Sequence, residues 1–136
     1  QFGLITADIL HGVAGFDFRP QVVDVASAYT IVVEPPGVDR TFWHHPGANA
    51  VLRLDQVELA GVDLVHFGYP SLMPGVCADH GVGLVEFLGR AASDRLVTSL
   101  DLSWVDPLTS AGEVDWADFL RRALPVTDII TPTGTV

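Results

Sequence analysis

The chain has 136 residues, a hydrophobic content of 49% and a charged content of 18%, enough for a folded core and unlike a disordered polymer. Its formal net charge is −10 and its seven basic residues are all arginines, so phosphate backbones are repelled and nucleic acid is not an expected partner. No apolar run approaches bilayer length and no signal-peptide pattern opens the chain, and a single cysteine rules out an internal disulfide framework. These features predict a cytoplasmic protein without membrane contact.

In chain order, Leu4, Ile5, Ile9 and Leu10 predict a helix over Leu4–Leu10, stopped by Gly12. The run "SAYTIVVEPPGVDRTFWHH" predicts a β-hairpin over residues 28–45, with Pro35-Pro36-Gly37 as its turn. "LDQVELAG" predicts a short helix with Asp55 as its cap. Asp63–Phe67 reads as a strand, and a loop follows the Gly68-Tyr69-Pro70 break. A helix over Val82–Ala92 places Leu84, Phe87, Leu88 and Ala91 on one face. Leu96–Leu102 is the next strand. Asp115 caps a helix carrying Trp116, Phe119, Leu120 and Ala123, stopped by Pro125, and Asp128–Ile130 is a third strand. From residue 63 to 131 the alternation predicts an α/β fold with a parallel sheet and right-handed crossovers. Its ligand site belongs beyond the carboxyl ends of the strands, at Gly68-Tyr69, Asp101-Leu102-Ser103 and Thr131-Pro132-Thr133. The hairpin lies outside this alternation and reads as a flap. Both ends of the chain look cut, and the whole reads as a single partial domain.

Side-chain alternation along the strand puts Thr41, Trp43 and His45 on one face and Phe42 and His44 on the other. His44 and His45 therefore cannot chelate one metal ion from regular strand geometry. His66 and His80 have no helical partner at i+4, so no metal site is expected from the histidines. One of the two histidines is read as lining a ligand pocket and the other as a solvated strand end. Tyr29, Ile31, Val33 and Phe42 are assigned to one apolar face, and Val32 and Trp43 to the other. Gly47-Ala48-Asn49 is either a turn and nothing more or a place where the backbone meets a ligand. Asp101 either serves a site at the sheet edge or caps the loop "DLSWVDP". Asp106, Asp115 and Asp118 read as loop or helix-start residues, and Cys77 as a small apolar filler. The nucleophile elbow, the phosphate loop and the dinucleotide fingerprint are all missing.

"SAYTIVVEPPGVDRTFWHHPGANAVL", "GVDLVHFGYPSLMPG", "VTSLDLSWVDP" and "DWADFLRRALPVTDIITP" together resemble the middle of the ribokinase, or PfkB, family of carbohydrate kinases, over about Phe2–Pro132. The resemblance implies a partial ribokinase-like three-layer fold with parallel core strands and a β-hairpin lid over residues 28–45. It implies transfer of the γ-phosphoryl group of ATP, with Mg²⁺, to a hydroxyl of a sugar, nucleoside or sugar acid. Trp43, His45, Asn49 and Gly68 would then contact the substrate, Asp101 and Thr133 would lie near the nucleotide and metal, and the lid would pair two copies into a homodimer. The family's N-terminal sugar-binding strand, its Gly-Gly-Asn segment and its C-terminal Gly-Ala-Gly-Asp segment have no counterpart here. Where the family reads Pro-Asn-x-x-Glu, this chain reads Pro132-Thr133-Gly134-Thr135-Val136. The expectation is a fragment of a kinase that is inactive by itself. The alternative is a non-catalytic sugar- or nucleotide-binding or interaction module on the same half-fold.

Overall fold

The computed structural model describes residues 2–15 and 17–132. The chain divides into two compact units, residues 1–48 and 49–136.

In the first unit, helix α1 spans Phe2–His11 and ends where Gly12 follows. Strands β1 (Tyr29–Val33) and β2 (Thr41–His45) form an antiparallel hairpin with its own two-stranded sheet. The bend begins with the Val38 amide donating to the Pro35 carbonyl at 3.2 Å. Gly37 takes φ +75° there, the left-handed conformation that a turn with proline before glycine requires. The register pairs Tyr29 with His45, Ile31 with Trp43, and Val33 with Thr41, while Thr30 faces His44 and Val32 faces Phe42. Directly paired residues point to the same side of a sheet. This corrects the expected faces: Trp43 lies with Tyr29, Ile31 and Val33, and Phe42 lies with Val32.

The second unit is built on β3 (Leu64–Gly68), β4 (Val97–Leu102) and β5 (Ile129–Pro132), which pair in parallel in the order β3-β4-β5. The parallel α/β core and the separate antiparallel hairpin are both as the alternation of apolar runs predicted. A short helix α2 (Pro74–Cys77) follows the turn after β3, in a stretch expected as a loop. Helix α3 spans Val82–Ser93 and buries Leu84, Phe87, Leu88 and Ala91, the four residues that share one face by spacing. It joins β3 to β4, and α4 (Trp116–Ala123) joins β4 to β5. Both helices contribute to one core with Val65, Phe67 and Leu100 of the sheet and Phe119 and Ala123 of α4. On the opposite side of the same strands Leu64, Val97 and Ile129 are exposed.

Local chemistry explains the ends of these elements. Asp115 accepts the Asp118 amide at 2.9 Å and starts α4 as a cap. Asp118 then binds Arg122 and Arg121 at 2.8 and 3.1 Å along the helix surface. Pro125 sits in the tight turn Leu124–Val126 that ends the helix. Thr98, fully buried in β4, donates to the Val126 carbonyl at 2.8 Å and accepts from the Asp128 amide at 3.0 Å. The Asp128 carboxylate in turn accepts the Thr98 amide at 2.9 Å, locking β5 in register with β4. The expected helix in "LDQVELAG" is only the single tight turn Leu54–Gln56, and Arg53, not Asp55, stands at its start. Asp55 does not cap because its carboxylate is held by the Arg53 guanidinium at 2.8 and 3.0 Å, and the chain is already extended at Val57.

Candidate functional site

The carboxyl edge of the parallel sheet gathers the second unit's candidate residues. Gly68 is the last residue of β3 and pairs directly with Asp101 of β4, which in turn pairs with Thr131 of β5. One step beyond Gly68 the Tyr69 amide donates to the Asp101 carbonyl at 2.9 Å. Tyr69 itself takes φ +58°, uncommon for a residue with a bulky side chain. A glycine at 68 is not forced by strain or space: a Cβ there would meet only His66 Nε2, at 3.6 Å.

Asp101 does not cap the loop that follows it. Its Oδ1 is buried and has no hydrogen-bond partner, and the loop's turn is closed instead by Asp106, which accepts the Leu108 amide at 2.9 Å. A buried carboxylate oxygen without a donor is costly, so Asp101 keeps unused acceptor capacity at this edge. On the same face of the sheet, His66 Nδ1 and Ser99 Oγ are hydrogen-bonded at 3.0 Å across paired positions. Beyond the strand ends, Ser71 and Ser103 share a 2.5 Å hydroxyl contact. Sequence spacing gave no sign of either pair, because each joins residues more than thirty positions apart.

The hairpin holds Trp43 and His45 on one face, as alternation required. His45 packs its ring against Tyr29 at 5.1 Å between centroids. His44 is on the other face, where Nδ1 and Thr30 Oγ1 are 2.8 Å apart and Nε2 is buried without a partner. Asn49 lies in the tight turn Gly47–Val51 and is half-buried. At Gly47, with φ +45°, a Cβ would strike Ser27 carbonyl carbon at 2.6 Å. The close approach at this turn is therefore to the protein's own backbone. Thr133 and Val136 lie outside the described residues.

The remaining candidates have structural partners. Cys77 is buried with Sγ 3.5 Å from the Pro70 carbonyl; burial, helped by the nearby Asp79 charge, pushes its thiol above the usual range. That suits a packing residue and not a nucleophile. Among the described residues no three His, Cys, Asp or Glu side chains are grouped as a metal ion would need, and no helix is long and apolar enough to cross a membrane. A further cleft of about 420 Å³, between the Leu52–Asp55 segment and α3, is lined by Arg53, Asp55, Asp79, Glu86, Phe87 and Arg90 among others. Its arginines are engaged by Asp55 and by the Leu54 carbonyl. No protein-family model, curated protein or solved structure matches this chain.

Proposed function

We propose that this chain is part of an ATP-dependent carbohydrate kinase, supplying a sheet edge for the substrate. The reading draws on the family resemblance of the sequence. The observation that best supports it is Gly68 and Asp101 side by side at the carboxyl edge of a parallel sheet, in a chain that also carries a separate antiparallel hairpin. In this reading Asn49 and Gly68 touch the sugar or nucleoside, and Asp101 lies near the nucleotide. The opposite hairpin face, with Val32 and Phe42 exposed, pairs two copies into a dimer, since a two-stranded ribbon cannot bury both its faces alone.

ATP with Mg²⁺ is the phosphoryl donor the family uses, and the described residues of this edge do not by themselves fit it. Residues 68–71 and 101–106 include Asp101 and Asp106 but no arginine, so they offer a triphosphate no countercharge. No catalytic step is therefore assigned to residues of this chain. The same cation-free edge favours the second reading, a sugar-binding module without phosphoryl transfer. The test is a coupled ADP-release assay on the protein encoded by the intact gene, with ribose, fructose, nucleosides and 2-keto-3-deoxygluconate. Sugar-dependent ADP release is expected; its absence with every substrate, while sugar still binds, selects the second reading.

A further inference from the structure

The cleft between the Leu52–Asp55 segment and α3 has an apolar floor and a charged rim. Its floor is Leu52 with the buried side chains of Val76, Leu84 and Phe87. Two glycines keep it open, Gly75 of α2 and Gly83 of α3. A Cβ at Gly75 would lie 2.6 Å from the Ala50 carbonyl oxygen, and one at Gly83 would lie 3.2 Å from Asp79 Oδ2. The volume of about 420 Å³ is that of a small-molecule site. On the rim, Asp79, Gly83 and Glu86 follow at helical spacing, so the two acids flank the gap left by the glycine. Asp79 Oδ2 accepts the Gly83 amide at 2.9 Å, which leaves the second carboxylate oxygen for a ligand. Glu86 is exposed and enters none of the ion pairs among the described residues. The two arginines of the rim are committed. Arg53 is paired with Asp55 at 2.8 Å. Arg90 donates to the Leu54 carbonyl at 2.8 Å and lies 5.6 Å from the centre of the Phe87 ring. The spare capacity of the rim is therefore anionic. An anion would meet two carboxylates, and a neutral apolar guest would leave them unused. Ammonium groups joined by methylenes use both the rim and the floor, and the chain's net charge of −10 attracts such a ligand from a distance.

We propose that this cleft binds a free linear polyamine, with one ammonium group on Asp79, another on Glu86 and the methylene chain over Leu52, Val76, Leu84 and Phe87. Seven residues at helical rise set the two carboxylate positions about 10 Å apart along the axis. A triamine of the length of spermidine spans that distance, and the shorter putrescine reaches only one acid at a time. The site lies wholly within the second unit and is independent of the kinase reading.

The experiment is isothermal titration of the 136-residue chain with spermidine, putrescine, butylamine, trilysine and magnesium chloride, at about 0.15 M sodium chloride to screen diffuse attraction. Spermidine is expected to bind roughly three- to tenfold tighter than putrescine, and butylamine more weakly than either. Glu86→Gln and Asp79→Asn are each expected to weaken spermidine roughly three- to tenfold; the asparagine still offers an oxygen to the Gly83 amide. Gly83→Ala narrows the gap between the acids and is expected to weaken spermidine while keeping the helix. Asp94→Asn removes the same charge from an exposed position at the far end of α3, and is expected to bind as the parent. Circular dichroism of each variant checks that the fold is kept. Failure of spermidine to bind, equal affinity for spermidine and Mg²⁺, or parental affinity in both Glu86→Gln and Asp79→Asn would each overturn the site. So would a loss in Asp94→Asn as large as in Glu86→Gln, which would mean attraction by net charge alone. Binding of trilysine without spermidine would assign the cleft to a basic peptide and overturn the polyamine.

Discussion

Gly68 and Asp101 are direct partners at the carboxyl end of the β3–β4 pair, and the next amide, that of Tyr69, donates to the Asp101 carbonyl at 2.9 Å. Every structural demand at position 68 is mild, since an added Cβ meets only His66 Nε2 at 3.6 Å. Gly68→Ala is therefore expected to leave the thermal midpoint within about 3 °C of the parent. If a ligand approaches the backbone here, the same methyl group weakens sugar binding severalfold. Differential scanning calorimetry and sugar titration on one preparation separate the two effects. A large fall in midpoint would show that the glycine serves folding, and an unchanged affinity would remove it from the ligand site.

Gly81 and Gly89 make the opposite pair. Gly81 precedes α3 with φ +76°, and a Cβ there would lie 2.5 Å from the Phe119 ring. Gly81→Ala combines a disfavoured backbone with overpacking and is expected to cost about 2–4 kcal/mol. Gly89 is inside α3, and its Cβ would meet only Val126 Cγ1 at 4.0 Å. Gly89→Ala is expected to stabilise by about 0.5–1 kcal/mol. Urea unfolding of both variants checks the sign of each change.

The sheet and its helices could be read from the sequence because their signals are local. The spacing of Leu84, Phe87, Leu88 and Ala91 defines a helix face without knowledge of its neighbours, and all four are buried. Asp115 before Trp116 is a cap by residue type, and it caps. Asp55 looked equally suitable, yet Arg53 claims its carboxylate. The hairpin faces were misassigned for a different reason. Alternation fixes the faces within one strand, but which residues of the partner share them depends on register, set here across the residues between Val33 and Thr41. At the candidate site Gly68 and Asp101 were visible as strand ends. Ser71 and Ser103 were not, because their contact depends on two loops that only the parallel pairing brings together.

The hairpin register separates its two histidines. His45 stacks on Tyr29 on the Trp43 face, whereas His44 is bonded to Thr30 on the face with Val32 and Phe42. His45→Ala is expected to weaken sugar binding by the intact protein severalfold, and His44→Ala to leave it within about twofold of the parent. Equal losses in the two variants would remove the distinction between the faces.

The same register sorts the apolar residues for association. Val32 and Phe42 are 52% and 56% exposed on the face away from Trp43. If two copies pair through that face, Val32→Asp places like charges in the interface and returns the protein to a monomer. Ile31→Asp, on the Trp43 face, is expected to keep the dimer and weaken ligand binding. Light scattering at micromolar concentration reads both. A strict monomer for the parent chain would remove the dimer from the proposal.

The 136-residue chain alone is expected not to transfer phosphate. Asp101 is the only acidic residue within a strand of the parallel sheet, and it comes from a segment other than the one that carries the base in the family the sequence resembles. The residues of the two loops beside it include no cation to stabilise a transferring phosphoryl group. Absence of a general base costs about 10²–10⁴-fold in rate, and absence of preorganised charge stabilisation about 10²–10³-fold more. Multiplied, these losses leave turnover close to background even if sugar binds normally at the sheet edge. A coupled ADP-release assay on the isolated chain, run beside the binding titration, measures both quantities on one sample. Sugar binding without ADP release is the expected pair of results. Turnover of about one per second or faster, an ordinary enzyme rate, would mean that Asp101 or one of the serine hydroxyls acts in the chemistry, and Asp101→Asn and Ser103→Ala would then identify which.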